Sequence, residues 1–300
     1  MFCCFFLAFG ILNGMKKIIL AIFLCLLTGC GKKPQQPSTP TVPTVLVSIE
    51  PYAYFVERIA GNTVTVRSLV PSGANPHIFE PTPREVGQAA EAQLWVRIGE
   101  SFEAKIGSVL QEQRPGLISI DMCQGIEMLE ESCHGHTHEE GKDRHIWLSP
   151  KLAKTQAETI ANALIKLYPD QRELYLRRLA AFVEDLTLLD QEIALMLLPY
   201  RDQAILVSHP ALGYFCRDYH LVQLSVEQEG KDPLPQHITK ILKHARTHSV
   251  RSVLTQAQYN NKGAELIAEE LHLPTHLIDP YARDYLENLT SIARLIAHAE

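Results

Sequence analysis

The sequence predicts an α/β protein of two lobes, each a mostly parallel sheet flanked by helices, joined by one long rigid helix. Three observations predict it. Short apolar runs alternate with helical segments from Val45 onward, the pattern of βαβ units and hence of parallel strands. The same alternation returns from residue 200 to the end, and between the two stretches lies strongly helical sequence, Ser149 to Pro199, interrupted only at Pro169. A chain of 300 residues, 46% hydrophobic and 21% charged, is long enough to divide its core between two lobes, and that composition excludes disordered and collagen-like classes.

The chain opens with an export signal. Met15, Lys16 and Lys17 precede the apolar run Ile18 to Leu27, and Leu27-Thr28-Gly29-Cys30 supplies a small-residue processing site. The run is about 10 residues, short of the roughly 20 that span a hydrocarbon core. LTGC resembles the lipobox of bacterial lipoproteins, so residues 1 to 29 are expected to be removed and Cys30 to carry a lipid that anchors the protein to a membrane. An uncleaved anchor lengthened by Phe2 to Leu12 is the alternative, and Met15 is an alternative start. Residues 30 to 44 read as a tether: four prolines from Pro34 to Pro43 favour polyproline II, which at about 3.1 Å per residue reaches on the order of 40 Å.

The first lobe is expected over residues 45 to 168. VLVSI, VTVRSLV and LWVRIG read as buried strands, with a helix from Tyr52 to Ala60 stopped by Gly61 and another opening at Pro83. Ser149 and Pro150 supply an N-cap and a proline at the first helical position. Residues 169 to 199 form the connecting helix, about 40 Å long at 1.5 Å per residue. The second lobe, 200 to 300, has strands AILVS, LVQLSV, SVLTQ and THLID, with helices near Leu212 to Tyr219, Pro235 to His248, Lys262 to His272 and Tyr285 to Ala297.

The net charge of −6 becomes −8 without the first 29 residues, which hold Lys16 and Lys17 and no acid. No basic patch favours nucleic acid, and a mildly acidic body suits a cation. Open parallel sheets bind ligands beyond the carboxyl ends of their strands. Four metal-ligating side chains qualify there: His77 in VPSGANPHIFEPTP, His145 in DRHIWLSP, His209 in LVSHPALGYF and Asp279 in LIDPYARD. Two come from each lobe, which predicts a site in the cleft, and three imidazoles with one carboxylate match the tetrahedral preference of zinc. Glu80, three residues past His77, is expected either to hydrogen-bond it or to face water. Of the cysteines outside the signal and anchor, Cys123, Cys133 and Cys216 allow one disulfide, Cys123 with Cys133 being the nearer pair.

SIEPYAYFVERIAGNTVTVRSLVPSGANPHIFEPTP, HIWLSP, SHPALGYFCRDYHL and DPYARD, in this order, resemble the successive motifs of the metal-binding receptors of bacterial ABC importers for zinc and manganese. The resemblance runs from Val45 to the end. It implies a solute-binding receptor that uses His77, His145, His209 and Asp279 as ligands and hands its ion to a membrane permease driven by a cytoplasmic ATPase. It also implies zinc, because members with glutamate at the third position are mostly manganese receptors and this chain has His209. A manganese or mixed receptor stays open, as do a zinc hydrolase and an adhesin on the same fold. The short loop CHGHTHEEGKD places His134, His136 and His138 just before His145; similar receptors carry a longer His-rich loop there, which makes these three candidate auxiliary ligands.

Overall fold

The computed structural model describes residues 42–130, 141–227 and 235–298. Cys30 and the tether to residue 41, the histidines at 134, 136 and 138, and Cys133 lie outside the described residues. Two four-stranded parallel sheets form. The first, in the order β2-β1-β3-β4, contains β1 (Thr44–Val47), β2 (Thr65–Ser68), β3 (Leu94–Arg97) and β4 (Ile118–Asp121). The second, in the order β6-β5-β7-β8, contains β5 (Ala204–Val207), β6 (Val222–Ser225), β7 (Val253–Gln256) and β8 (Thr275–Ile278). Each order has the same form, so both sheets reverse their winding beside their first strand.

The helices are α1 (Glu50–Ala60), α2 (Pro83–Ala89), α3 (Ser101–Gln113), α4 (Pro150–Leu167), α5 (Arg172–Leu197), α6 (Gly213–Tyr219), α7 (Pro235–Thr247), α8 (Lys262–Leu271) and α9 (Tyr285–Ala297). Local chemistry accounts for two of their starts. Thr82 and Glu85 close a full capping box on α2, and the Ser149 hydroxyl accepts from Leu152 N to open α4 with Pro150 at its first position. Pro169 begins a 3-10 turn, after which α5 runs 26 residues, about 39 Å at 1.5 Å per residue. Sequence reading did not single out β4 and α3. The reason is physical: β4 is a short edge strand whose residues are all at least partly exposed, and α3 has few buried positions.

Helix α5 packs against α1 and α4 from the first half and α9 from the second. Phe55 meets Phe182 at 5.1 Å and Tyr285 at 4.9 Å, both edge to face, so one apolar cluster contains residues of both halves. A smaller cluster backs the second sheet. Trp147 Nε1 donates to the Pro280 carbonyl at 2.9 Å, and the Tyr285 hydroxyl donates to the Trp147 carbonyl at 2.5 Å. Truncating a buried aromatic here, as in Phe55→Ala, costs about 3–5 kcal/mol, so the two lobes are fastened rather than loosely hinged. No helix among the described residues is long and apolar enough to cross a membrane.

Candidate metal centre

The strands end where the chemistry begins. His209 follows β5 directly, and His77 lies in the loop after β2, in a 3-10 turn (Pro76–Ile78) that Asn75 caps by accepting from His77 N at 2.9 Å. His145 precedes the 3-10 turn Ile146–Leu148. These three histidines converge: one ring nitrogen from each lies within 4.8 Å of the others. Their ring centroids stand 5.4, 5.1 and 5.2 Å apart, nearly an equilateral triangle. His77 Nε2 and His209 Nε2 are 3.3 Å apart. With Zn–N bonds of about 2.0–2.1 Å, the edge of a tetrahedron is roughly 3.3 Å, so this pair already has the spacing of two zinc ligands.

Each imidazole has a carboxylate behind it. His77 Nδ1 is 3.0 Å from Glu100 Oε1, His145 Nδ1 is 2.8 Å from Asp143 Oδ1, and His209 Nδ1 is 2.8 Å from Glu227 Oε2. A carboxylate accepts a hydrogen bond from Nδ1–H, which leaves the Nε2 lone pair to face an ion. Each carboxylate thus favours the tautomer that ligates through Nε2. Burial in the first place, and then the charges of His145 and His77, push the His209 pKa well below the ordinary imidazole value. Burial alone would raise the Glu100 carboxyl, but the hydrogen bond and charge of His77 outweigh it and hold it below the usual carboxylate range.

These carboxylates are themselves positioned. Glu103 accepts from Ile98 N at 2.9 Å and Gly99 N at 2.8 Å, fixing the turn that carries Glu100. Asp143 Oδ1 accepts from both the backbone N and Nδ1 of His145, at 2.9 and 2.8 Å. Its other oxygen lies so close to Gly213 that a Cβ there would stand 2.4 Å from it; glycine is what admits the carboxylate. Tyr259 stacks on the His209 ring at 3.9 Å and 10°. The Tyr259 and Tyr281 hydroxyls are 3.2 Å apart, and the Tyr281 hydroxyl is 3.2 Å from His145 Nε2.

Asp279 is placed differently. It is not within ligand distance of all three histidines; its Oδ1 accepts from Gln258 Nε2 at 2.6 Å and from Tyr281 N at 2.9 Å. Of the two roles the sequence left open for Glu80, hydrogen-bonding His77 or facing water, the structure shows the second. Glu80 pairs with Lys105 at 2.8 Å on the open surface, and Glu100 takes the first role because β3 delivers it to the buried side of the ring. Glu100 and Glu227 were missed although each follows a strand and meets the rule that located the histidines, and Asp143 was readable as the acid two residues before His145. The residues flanking the His-rich segment meet, Glu130 bridging to Lys142 and pairing with its ammonium. Among the described residues Cys123 and Cys216 form no disulfide. Burial raises both thiols, Cys123 to about 12, so neither offers a thiolate.

Residues 45–299 match the family described as the periplasmic component A of the zinc-uptake complex, ZnuA. The chain belongs to this family. A relative in Chlamydia muridarum is 34% identical over 260 residues, 86% of this chain and 92% of its own length. The high-affinity zinc uptake system protein ZnuA of Bacillus subtilis is 26% identical over 276 residues, 87% of this chain and 86% of that protein. Among solved structures, a ZnuA crystal structure superposes with a TM-score of 0.80 at 38% identity, covering 85% of this chain and 98% of that one; a ZnuA deletion mutant with zinc bound gives the same score and identity, covering 86% and 98%. Family, fold and converging histidines point to an extracytoplasmic metal-binding receptor.

Proposed function

We propose that this protein captures a zinc ion with His77, His145 and His209, closes the shell with Asp279, and passes the ion to the membrane permease of an ABC importer. The observation that carries the reading is the triangle of imidazoles, each backed by its own carboxylate. Three formal negative charges behind three neutral ligands attract a dication, while nitrogen donors favour zinc over manganese in the usual affinity order. The same arrangement argues against hydrolysis. Glu100, Asp143 and Glu227 are each committed to an imidazole, so none is left beside an open coordination position to act as general base.

Release needs an exit, and the most exposed ligand marks one. The His77 side chain is 31% exposed, against 4% for His145 and His209. Because the lobes are fastened by a shared core, release is assigned to movement of the His77 loop as the permease docks. Cys30 carries the lipid that keeps the receptor at the membrane; Cys30→Ser should appear soluble after export, and its retention by an uncleaved N-terminus would remove the lipoprotein reading.

Competition titration with zinc and manganese at neutral pH tests the site. The wild type should bind one zinc tightly, without turnover of ester or peptide substrates, and His77→Ala should lose it. His209→Glu should narrow the preference for zinc, since it replaces nitrogen with a harder oxygen. A wild type that selects manganese at equal free-ion concentration would overturn the choice of metal.

A further inference from the structure

We propose that Gln258 is a specificity-determining residue: its side-chain amide occupies one oxygen of Asp279 and limits that carboxylate to a single oxygen toward the ion. The proposal rests on the reading of Asp279 as the fourth ligand.

Strand β7 contributes none of the four ligands, yet it lies between β5, which leads into His209, and β8, which leads into Asp279. Its end supplies two glutamines, Gln256 and Gln258, 0% and 8% exposed. Gln256 Nε2 donates to the His209 carbonyl at 2.6 Å, and Gln258 Nε2 donates to Asp279 Oδ1 at 2.6 Å. The strand between the two ligands thus holds both. Asn261 locks the turn that follows: its Oδ1 accepts from Gln256 N at 3.1 Å, and its amide donates to the Gln256 carbonyl at 2.8 Å. Gln258 is consequently presented from a fixed backbone.

Asp279 Oδ1 is saturated, because Tyr281 N donates to it at 2.9 Å beside the Gln258 amide; two donors fill the two lone pairs of a carboxylate oxygen. The other end of the Gln258 amide, Oε1, is buried with no hydrogen-bond partner among the described residues. Facing a carboxylate oxygen, the amide can present only its NH2 group, so Asp279 sets its orientation. That leaves Oδ2 as the one oxygen with its full capacity for a metal. Three imidazoles and one oxygen complete a tetrahedral shell, which suits zinc. Manganese favours oxygen ligands in a six-coordinate array, and here it is denied the second carboxylate oxygen. Without the Gln258 donor, Oδ1 regains a lone pair and the carboxylate can turn to offer both.

The experiment uses the metal-stripped mature chain and measures zinc and manganese affinities by competition, with the visible spectrum of the cobalt-loaded protein reporting coordination number. Gln258→Leu should narrow the zinc-to-manganese affinity ratio about tenfold, the size expected for one hydrogen bond to a charged group. Its cobalt spectrum should move from the intense bands of four-coordination to the weaker bands of higher coordination. Gln258→Met, unbranched and closest in shape, is the variant read if Gln258→Leu does not fold. Asp279→Asn should weaken zinc, and the Gln258→Leu change should disappear in that background. An unchanged ratio and cobalt spectrum in both Gln258 variants, with Asp279→Asn still weakening zinc, overturns the role of Gln258 and leaves Asp279 as a ligand. Asp279→Asn with wild-type affinities removes the fourth-ligand reading and the proposal with it. Tight binding that survives His77→Ala puts the ion elsewhere and overturns the site itself.

Discussion

Replacing Asp143 by Asn removes one charge and little else. The amide oxygen can still accept from His145 N and Nδ1, which share Asp143 Oδ1 at 2.9 and 2.8 Å, so ring orientation is kept. Across the imidazole, the carboxylate stands roughly 6–7 Å from an ion bound at Nε2. At an effective dielectric of about 20, Coulomb's law puts a unit charge and a dication at that distance near 5 kcal/mol, an upper bound because solvent and the other carboxylates respond. Losses measured for such outer partners of metal-bound histidines run about 10–100-fold. The expected result is therefore a zinc affinity lower by about 10–100-fold, read by competition with a chromophoric chelator at pH 7. Asp143→Ala should cost more, since it also leaves the buried His145 N–H without its acceptor. An Asp143→Asn protein within threefold of wild type would mean that the carboxylate only orients the ring and does not strengthen the ligand.

Two further outcomes rest on the geometry of the site and a third on the sequence. Gly213→Ala places a methyl 2.4 Å from Asp143 Oδ2, an overpacking of the kind that costs about 1–3 kcal/mol; melting of the metal-free protein should show it, with zinc affinity falling alongside, and unchanged values would mean that Asp143 moves aside freely. Because the folded state holds the His209 pKa well below its ordinary value, the unfolded chain binds a proton there that the folded chain refuses. His209's contribution to metal-free stability is present above about pH 6.5 and is lost as pH falls below it; thermal melts of wild type and His209→Gln across pH 5 to 8 should differ in slope, and identical slopes would refute the shift. Deleting residues 134–140 should leave one tight zinc site and abolish only weaker extra binding, whereas loss of the tight site would make that segment a primary ligand.

Much of the fold is legible in the sequence because it is local. The segments Val45–Val47, Leu94–Val96 and Ala204–Val207 are continuous apolar runs, as strands buried on both faces must be, and Ser149-Pro150 and Pro169 mark helix boundaries through their own backbone chemistry. Parallel sheets put functional residues beyond their carboxyl ends, so His77, His145, His209 and Asp279 could be proposed before any coordinates, and the structure brings the three histidines together. What joins them could not. Glu227 reaches His209 across 18 residues, and Tyr281 meets His145 across 136; no spacing rule connects such partners, because strand order and loop path bring them together. The sequence offered Glu80 to His77 by proximity along the chain, but β3 and the Glu103-capped turn place Glu100 there instead. By itself the sequence determined which side chains are candidate ligands, since that depends on residue type and on the apolar runs they follow. Only the tertiary structure decided which carboxylate backs each imidazole and that Gln258 holds Asp279, since hydrogen-bond partners separated along the chain are chosen by packing.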